Sequence, residues 1–266
     1  MARQRTDAEQ QIADLLHTAR KSLHMSVAFL SRLDGTHQHL EVVESSRPAG
    51  LLFKEGWQGR QDTTLCQGVL DGVAQAPGGP EEDTSGGFPY GGWLVPFFDE
   101  RLGAQMDAWF APAEDFLLGR GTYEIFAQHW PHVDPTGDAV ATALQTKTKH
   151  VASRTLTSLE WSTARLLDGD VPAAVRALKA ADGGELQVHG SIGLVQTLLA
   201  EDLVDELRLA VFPVVLGEGK RLFGDGAIPR TWRLTAQSTT PSGVLLLTFQ
   251  RVGEVETGAV GPEYES

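Results

Sequence analysis

The stretch ELQVHGSIGLVQTLLAEDLVDELRLAVFPVVLG, from Glu185 to Gly217, contains a strand pattern, a helix pattern and a second extended run in succession. ELQVHG is short, mostly apolar and ends on a glycine, which is typical of a buried strand. SIGLVQTLLAEDL has the apolar spacing of a helix. The stretch therefore predicts a strand-helix unit of a parallel sheet, followed by further extended chain.

The same alternation continues toward the N-terminus. DFLLGR at residues 115–120 and HVASR at 150–154 are strand patterns, and each has helical patterns beside it in the chain. Residues 94–112 look helical, and so does VPAAVRALKAA, whose Pro172 suits a first helical turn. Toward the C-terminus, DELRLAVFPVVLG, TWRLTAQSTT and VLLLTFQRV follow one another without helices. An α/β fold with a mixed sheet is expected, mainly parallel and finishing with antiparallel strands.

Composition limits the classes of function. The 266 residues allow one large domain or two modest ones, and the net charge of −13 argues against broad binding to nucleic acid or to anionic membranes. The single cysteine, Cys66, excludes an intramolecular disulfide and a multi-cysteine zinc site. No apolar run approaches the length of a spanning helix, and the first residues lack a signal-peptide core. The expected location is the cytoplasm.

Three strand-to-helix corners carry residues suited to phosphate. Gly119-Arg120-Gly121-Thr122 forms one, Ser153-Arg154 the second and Gly190-Ser191-Ile192-Gly193 the third. Helix N-termini offer free N–H groups to anions, glycine admits close approach, and arginine binds phosphate through paired hydrogen bonds. Each corner alone is more often an ordinary turn with a solvated charge or a serine cap. Together they favour a nucleotide site.

At these corners the chain resembles a known family. DFLLGRGTYEIFAQHWP, KHVASRTL, GELQVHGSIGLVQTLLAEDLVDELRLAVFPVVLGEGKRLF and DGVAQAPGGPEEDTSGGFPYGGW resemble the dihydrofolate-reductase-like family. More narrowly, they resemble the C-terminal reductase domain of bifunctional riboflavin-biosynthesis enzymes and its stand-alone relatives. The resemblance covers about residues 71–253. It implies a three-layer α/β/α fold with a mixed sheet and a reductase that uses NADPH.

The resemblance also implies roles for individual residues. Asp71 would lie at the end of the first strand, on the substrate side, as the catalytic acid, although a plain turn aspartate before Gly72 is an equal interpretation. Apart from the resemblance, Lys220 and Arg221 in LGEGKRLF could close on a substrate phosphate, although a turn between strands is the commoner explanation. The cofactor-binding residues would be Gly119, Arg120, Thr122, Ser153, Arg154, Gly190, Ser191 and Gly193.

No metal site is expected from HWPHVDP, the segment that holds His129, His132 and Asp134. These side chains could bind a metal ion, but Pro131 breaks the local geometry that a set of ligands would need.

The N-terminal part has a different character. A helix is predicted over residues 6–24, and HMSVAFLSRL and HQHLEVVESS flank Asp34-Gly35-Thr36, a hairpin signal. This order resembles the start of a GAF domain, an α+β sensor fold, but the resemblance stops before the domain is complete, so no ligand is expected there. The predicted division is a truncated GAF-like segment at 1–70, a reductase domain at 71–253 and a mobile acidic tail at 254–266.

The junction of the two parts falls at Leu70-Asp71-Gly72, a tripeptide that suits both families. Residues upstream of it would have to serve as the first strand of the reductase, although Gln67 and Gly68 stand where a central strand favours apolar, branched side chains.

The resulting hypothesis is an NADPH-dependent reductase with a small-molecule substrate, similar to 5-amino-6-(5-phosphoribosylamino)uracil reductase. The alternatives are a nucleotide-binding sensor without catalysis and a chimeric chain with impaired activity. A homodimer through the late antiparallel strands is an expectation of the resemblance alone. Neither nucleic acid nor membrane is an expected partner.

Overall fold

The computed structural model describes the backbone of Asp14 and of residues 27–34, 37–45 and 62–258, and the side chains of Asp14 and residues 67–258. It divides into two compact units. One comprises Met1–Arg60 with Lys179–Gly184, and the other Gln61–Leu178 with Glu185–Ser266.

The described strands of the first unit form a two-stranded antiparallel hairpin. β1 (Val27–Asp34) pairs with β2 (His37–Ser45), and Asp34 lies opposite His37. The hairpin predicted around Asp34 and Gly35 is therefore confirmed. Apart from Asp14, which is helical, the helix predicted over 6–24 lies outside the described residues, as does the rest of the GAF-like segment as far as residue 61.

The second unit is built on one sheet of eight strands. They are β3 (Asp62–Val69), β4 (Ala113–Gly119), β5 (Thr148–Ala152), β6 (Ala164–Leu166), β7 (Glu185–Gly190), β8 (Glu206–Phe212), β9 (Thr231–Thr239) and β10 (Leu245–Gly253). In the sheet they lie in the order β6-β5-β4-β7-β3-β8-β10-β9. Neighbours from β6 to β8 run parallel, whereas β10 is antiparallel to both β8 and β9.

Five described α-helices accompany this sheet, and they cover both of its faces. They are α1 (Glu100–Phe110), α2 (Arg120–His129), α3 (Ala139–Thr146), α4 (Val171–Ala180) and α5 (Ile192–Ala200). On β4 the side chains alternate, because successive residues of a strand point to opposite faces. Phe116 and Leu118 pack with α1, α2 and α3, while Leu117 packs with α4 and α5. The α/β class and the three-layer α/β/α arrangement are thus confirmed.

Two elements were not predicted, and one predicted helix is shorter than expected. The sequence patterns missed α3 and the three-residue β6. The helix expected over 94–112 begins at Glu100, because the Asp99 side chain accepts a hydrogen bond from the amide of Leu102 and caps the first turn. Val95–Phe97 forms a separate 3-10 turn ahead of it.

The central strand β3 is made by residues upstream of the expected domain boundary. It pairs in parallel with β7 on one side and β8 on the other, so the sheet begins at Asp62, ahead of residue 71. Gly68 lies where a Cβ would come within 3.3 Å of the Val73 carbonyl, which explains a small residue there. Gln67 directs its amide toward the sulfur of Met106 on α1 at 3.8 Å.

Candidate functional site

The three predicted corners lie along one edge of the sheet. β5, β4, β7 and β3 are consecutive neighbours and parallel, so their carboxyl ends meet at the same edge. Ser153 follows β5, Arg120 follows β4, Ser191 follows β7 and Asp71 follows β3. The structure therefore brings the predicted cofactor residues and the predicted acid to a single edge.

The corners after β4 and β7 are in direct contact. A Cβ on Gly119 would lie 2.3 Å from the Ser191 hydroxyl oxygen and 2.9 Å from the Ser191 amide nitrogen. A Cβ on Gly190 would lie 2.6 Å from the Thr122 hydroxyl oxygen. Gly190 has a φ of 132°, and its peptide bond to Ser191 is cis. Both positions require glycine because the neighbouring corner occupies the space of a side chain.

The helices that leave these two corners have open N-termini. No side chain caps α2 at Gly119 or α5 at Ser191, and a Cβ on Gly121 or Gly193 would find no atom within 4 Å. The other three described α-helices each start with an aspartate that accepts a first-turn N–H group: Asp99, Asp138 and Asp170. Free N–H groups and the positive end of the helix dipole make an uncapped N-terminus suitable for an anion.

The two arginines near this edge differ in their surroundings. Arg120 forms an ion pair with Glu124 one turn along α2, with an Nη1 to Oε1 distance of 3.1 Å and side-chain exposures of 54% and 40%. Arg154 is exposed and forms no ion pair within residues 67–258. Next to Arg154 in the chain, the Ser153 hydroxyl accepts hydrogen bonds from the amides of Thr155 and Leu156 at 3.2 Å and 3.0 Å. Arg154 is thus the arginine that can meet a phosphate without giving up an ion pair.

Asp71 is held by the loop that follows β8. Its Oδ2 accepts a hydrogen bond from the amide of Gly217 at 2.7 Å, and its carbonyl oxygen accepts one from the Arg221 guanidinium. Its Oδ1 is buried and has no hydrogen-bond partner in the described part of the chain. The residue therefore fixes the loop to the end of β3 and leaves one carboxylate oxygen for a further donor.

A cleft of about 270 Å³ opens between the loop after β3 and the loop after β8. Its lining residues are Gln75, Ser85, Gly86, Phe88, Glu218, Gly219 and Lys220. The Gln75 side chain is 2% exposed and connects the two walls. Its Nε2 donates to the carbonyls of Asp83 and Ser85 at 3.0 Å each, and its Oε1 accepts from the amide of Lys220 at 3.0 Å. These three hydrogen bonds hold the two loops together across the cleft.

Two acidic residues of the loop after β3, Glu82 and Asp83, have specific contacts. Burial raises the pKa of Glu82, although its carboxylate accepts hydrogen bonds from the amides of Gly78 and Gly79. Burial also opposes ionisation of Asp83, but hydrogen bonds from Lys220 and Ser85 outweigh it and lower the pKa of Asp83. These acids shape the loop rather than face solvent alone.

His189 precedes the Gly190 corner and lies partly buried under α1. Its ring lies 4.4 Å from that of Phe110, and its Nε2 is 3.2 Å from the Oε1 of Gln187. Burial, together with the charge of Arg208, lowers the pKa of His189 to about 3, so the imidazole is neutral near neutral pH.

Sequence reasoning missed two glutamines that connect the site. Gln75 joins the walls of the cleft, and Gln196 on α5 donates from Nε2 to the carbonyl of Arg221 at 2.8 Å. Their partners lie far away in sequence, so no local pattern distinguishes them from ordinary surface glutamines.

Two further properties concern the described residues as a group. No group of three or more His, Cys, Asp or Glu side chains among them is placed to hold a metal ion. None of the helices they form has the length and apolar character needed to cross a lipid bilayer.

Comparison with known proteins identifies relatives of this unit. A family model described as the RibD C-terminal domain matches residues 67–246. YyaP, an uncharacterized protein of Bacillus subtilis (strain 168), is 31% identical over 138 residues, covering 51% of this chain and 73% of YyaP. YwjB of the same organism, also uncharacterized, is 29% identical over 134 residues, covering 49% of this chain and 70% of YwjB.

A solved structure shares the fold. It is a protein of Shewanella sp. PV-4 whose name assigns it to riboflavin biosynthesis, with a TM-score of 0.56 and 20% identity, covering 72% of this chain and 98% of that one. At this identity the likeness concerns the fold.

Proposed function

Because the chain belongs to the family of the RibD C-terminal domain, a family of reductases, we propose that it is an NADPH-dependent oxidoreductase acting on a small molecule. The first substrate to test is a phosphoribosylamino-pyrimidine. When bound, the cofactor supplies the hydride, and the protein supplies binding, orientation and a proton.

The observation that carries the proposal is the pair of open helix N-termini at adjoining corners. The glycines at 119 and 190 let α2 and α5 begin side by side, and neither helix start is capped by a side chain. Two such N-termini can together accept the two phosphate groups of a dinucleotide. The space beside Gly121 and Gly193 would admit the diphosphate.

The arginines supply a preference for the cofactor with an extra phosphate. Arg154 would bind the 2′-phosphate with the Ser153 hydroxyl beside it, since guanidinium groups form paired, charge-assisted hydrogen bonds to phosphate. Arg120 and Thr122 would contact the diphosphate from the start of α2. The ion pair of Arg120 with Glu124 is half-exposed and therefore weak enough to be exchanged.

Asp71 is the acid that we assign to the substrate side. Its Oδ2 is used by Gly217, so Oδ1 is the atom that would hold a proton or accept a donor from the substrate. An acid at this position would deliver the proton that the reaction needs.

Titration of the full chain with NADPH and with NADH, followed by tryptophan fluorescence, tests the proposal. NADPH should bind more tightly, and Arg154→Ala should weaken NADPH more than NADH. Arg233→Ala is the matched control, because Arg233 is an exposed arginine on β9, at the far end of the sheet order. Absence of NADPH binding, or equal weakening of both nucleotides by Arg154→Ala, would refute it.

A further inference from the structure

An ion pair between Lys220, which lines the cleft, and Asp83 joins the two loops that form the cleft. Lys220 Nζ lies 2.6 Å from Asp83 Oδ2, and the two side chains are 47% and 29% exposed. Asp83 belongs to the loop after β3 and Lys220 to the loop after β8. An ion pair this exposed contributes little to stability, so exchange of its partner costs little.

The backbones on both sides of this ion pair are fixed independently of it. The amide of Lys220 donates to the buried Gln75 side chain at 3.0 Å, and the Lys220 carbonyl accepts from the amide of Ala74 at 2.9 Å. The carbonyl of Asp83 accepts from Gln75 at 3.0 Å. The lysine side chain can therefore change partner without movement of either loop.

Asp83 also keeps hydrogen bonds when Lys220 leaves it. Its Oδ1 accepts from the Ser85 hydroxyl at 2.5 Å and from the Ser85 amide at 3.1 Å. Only Oδ2 loses its partner, and this carboxylate is exposed enough to be solvated by water. The ammonium of Lys220 is accordingly available to a ligand in the cleft.

We propose that Lys220 is the anion-binding residue of the substrate cleft, where it exchanges Asp83 for an anionic oxygen of the ligand. Glu218 lines the same cleft, so the ligand that fits carries an anionic group together with N–H or O–H donors. The substrate assignment rests on the proposed reductase function, whereas the anion site itself does not. Arg221 next along the chain adds positive charge, and it forms no ion pair within residues 67–258.

Inorganic phosphate is the probe, added at constant ionic strength to the ¹⁵N-labelled full chain saturated with NADP⁺. With the corners occupied by the nucleotide, phosphate should shift the amide resonances of Ser85, Gly86 and Gly219 in a saturable way. Lys220→Met should weaken this binding by at least about tenfold, the loss of one charge-assisted hydrogen bond. Lys147→Met, which removes a lysine just before β5 at the opposite edge, should leave it unchanged.

A second variant keeps the test decisive if Lys220→Met disturbs the loop. Asp83→Asn removes the competing charge but retains an oxygen for Ser85, so it should strengthen phosphate binding by up to about fivefold. No saturable shift in the unaltered chain, or equal affinity after Lys220→Met, would overturn the inference.

Two further outcomes separate this inference from the proposed function. Shifts confined to Gly121 and Gly193 would contradict the cleft site and would also contradict occupation of the corners by NADP⁺. Failure of NADP⁺ to bind, with phosphate still bound at Lys220, would refute the reductase and leave the anion site supported.

Discussion

Replacing Gly190 with alanine tests the contact between the two corners. The new Cβ would lie 2.6 Å from the Thr122 hydroxyl oxygen, closer than real Cβ contacts, while the next atoms of Thr122 are 3.6 Å away. In addition, the φ of 132° is one that residues with a side chain rarely adopt. The substitution therefore has a steric cost that depends on Thr122 and a backbone cost that does not.

The two costs can be estimated separately. Overpacking of a methyl group costs about 1–3 kcal/mol, and a strained backbone conformation costs about 1–3 kcal/mol more. Gly190→Ala should thus lower the free energy of unfolding by about 2–6 kcal/mol, a large part of the roughly 5–15 kcal/mol of a typical domain. Adding Thr122→Ala removes the clashing oxygen and should recover the steric part only.

Urea unfolding of the single and double variants measures both parts through the shift in midpoint at constant slope. Gly121→Ala is the control, since nothing lies within 4 Å of its Cβ position, and alanine should be neutral or stabilise α2 by up to about 1 kcal/mol. If Gly190→Ala unfolds within about 0.5 kcal/mol of the unaltered chain, or Thr122→Ala recovers nothing, the contact argument is wrong.

Three other expectations follow from the site. Gly193→Val should fold normally but bind NADPH at least about tenfold more weakly, because its side chain would fill the open space beside α5. Unchanged affinity in the same fluorescence titration would count against a diphosphate site beside Gly193. Glu124→Gln should release Arg120 and strengthen NADPH binding by up to about fivefold at low salt, whereas weaker binding would contradict the exchange. The pKa of His189 is about 3 in the folded protein, below its value of about 6.5 in an unfolded chain. The contribution of this histidine to the free energy of unfolding should therefore be complete above pH ~6.5. It should decrease on acidification toward pH 3, by up to about 1.4 kcal/mol per pH unit. Urea unfolding of His189→Gln should show a shallower decline, and identical pH profiles would contradict this origin.

Much of the fold was predictable because the local sequence patterns of many strands and helices match the structure that these residues adopt. The strand ELQVHG coincides with β7, and the helices after the corners begin near the expected residues. The short β6 was not predictable, since three residues carry no period and it is defined by pairing with β5. The role of β3 was expected despite Gln67 and Gly68, and the pairing of this strand with β7 and β8 confirms it. Gly68 suits the close approach of the Val73 carbonyl, which sequence patterns do not reveal.

In the candidate site, too, only the features that depend on neighbouring residues in the sequence were predictable. The residues able to contact phosphate were identifiable, because glycine, arginine and serine after a strand have a local chemical meaning. The sequence did not show which of the positively charged side chains form ion pairs. Arg120 is paired with Glu124 and Lys220 with Asp83, while Arg154 has no such partner in the described part of the chain.

The amino-acid sequence by itself predicted most of the strands and helices and the chemistry placed at each corner, since these depend on neighbouring residues. Only the tertiary structure decided that the corners adjoin, because the strand order β5-β4-β7-β3 is not the chain order. It likewise decided that Asp71 meets Gly217, a residue 146 positions away. Contacts of that separation depend on the packing of the whole sheet, which no local pattern encodes.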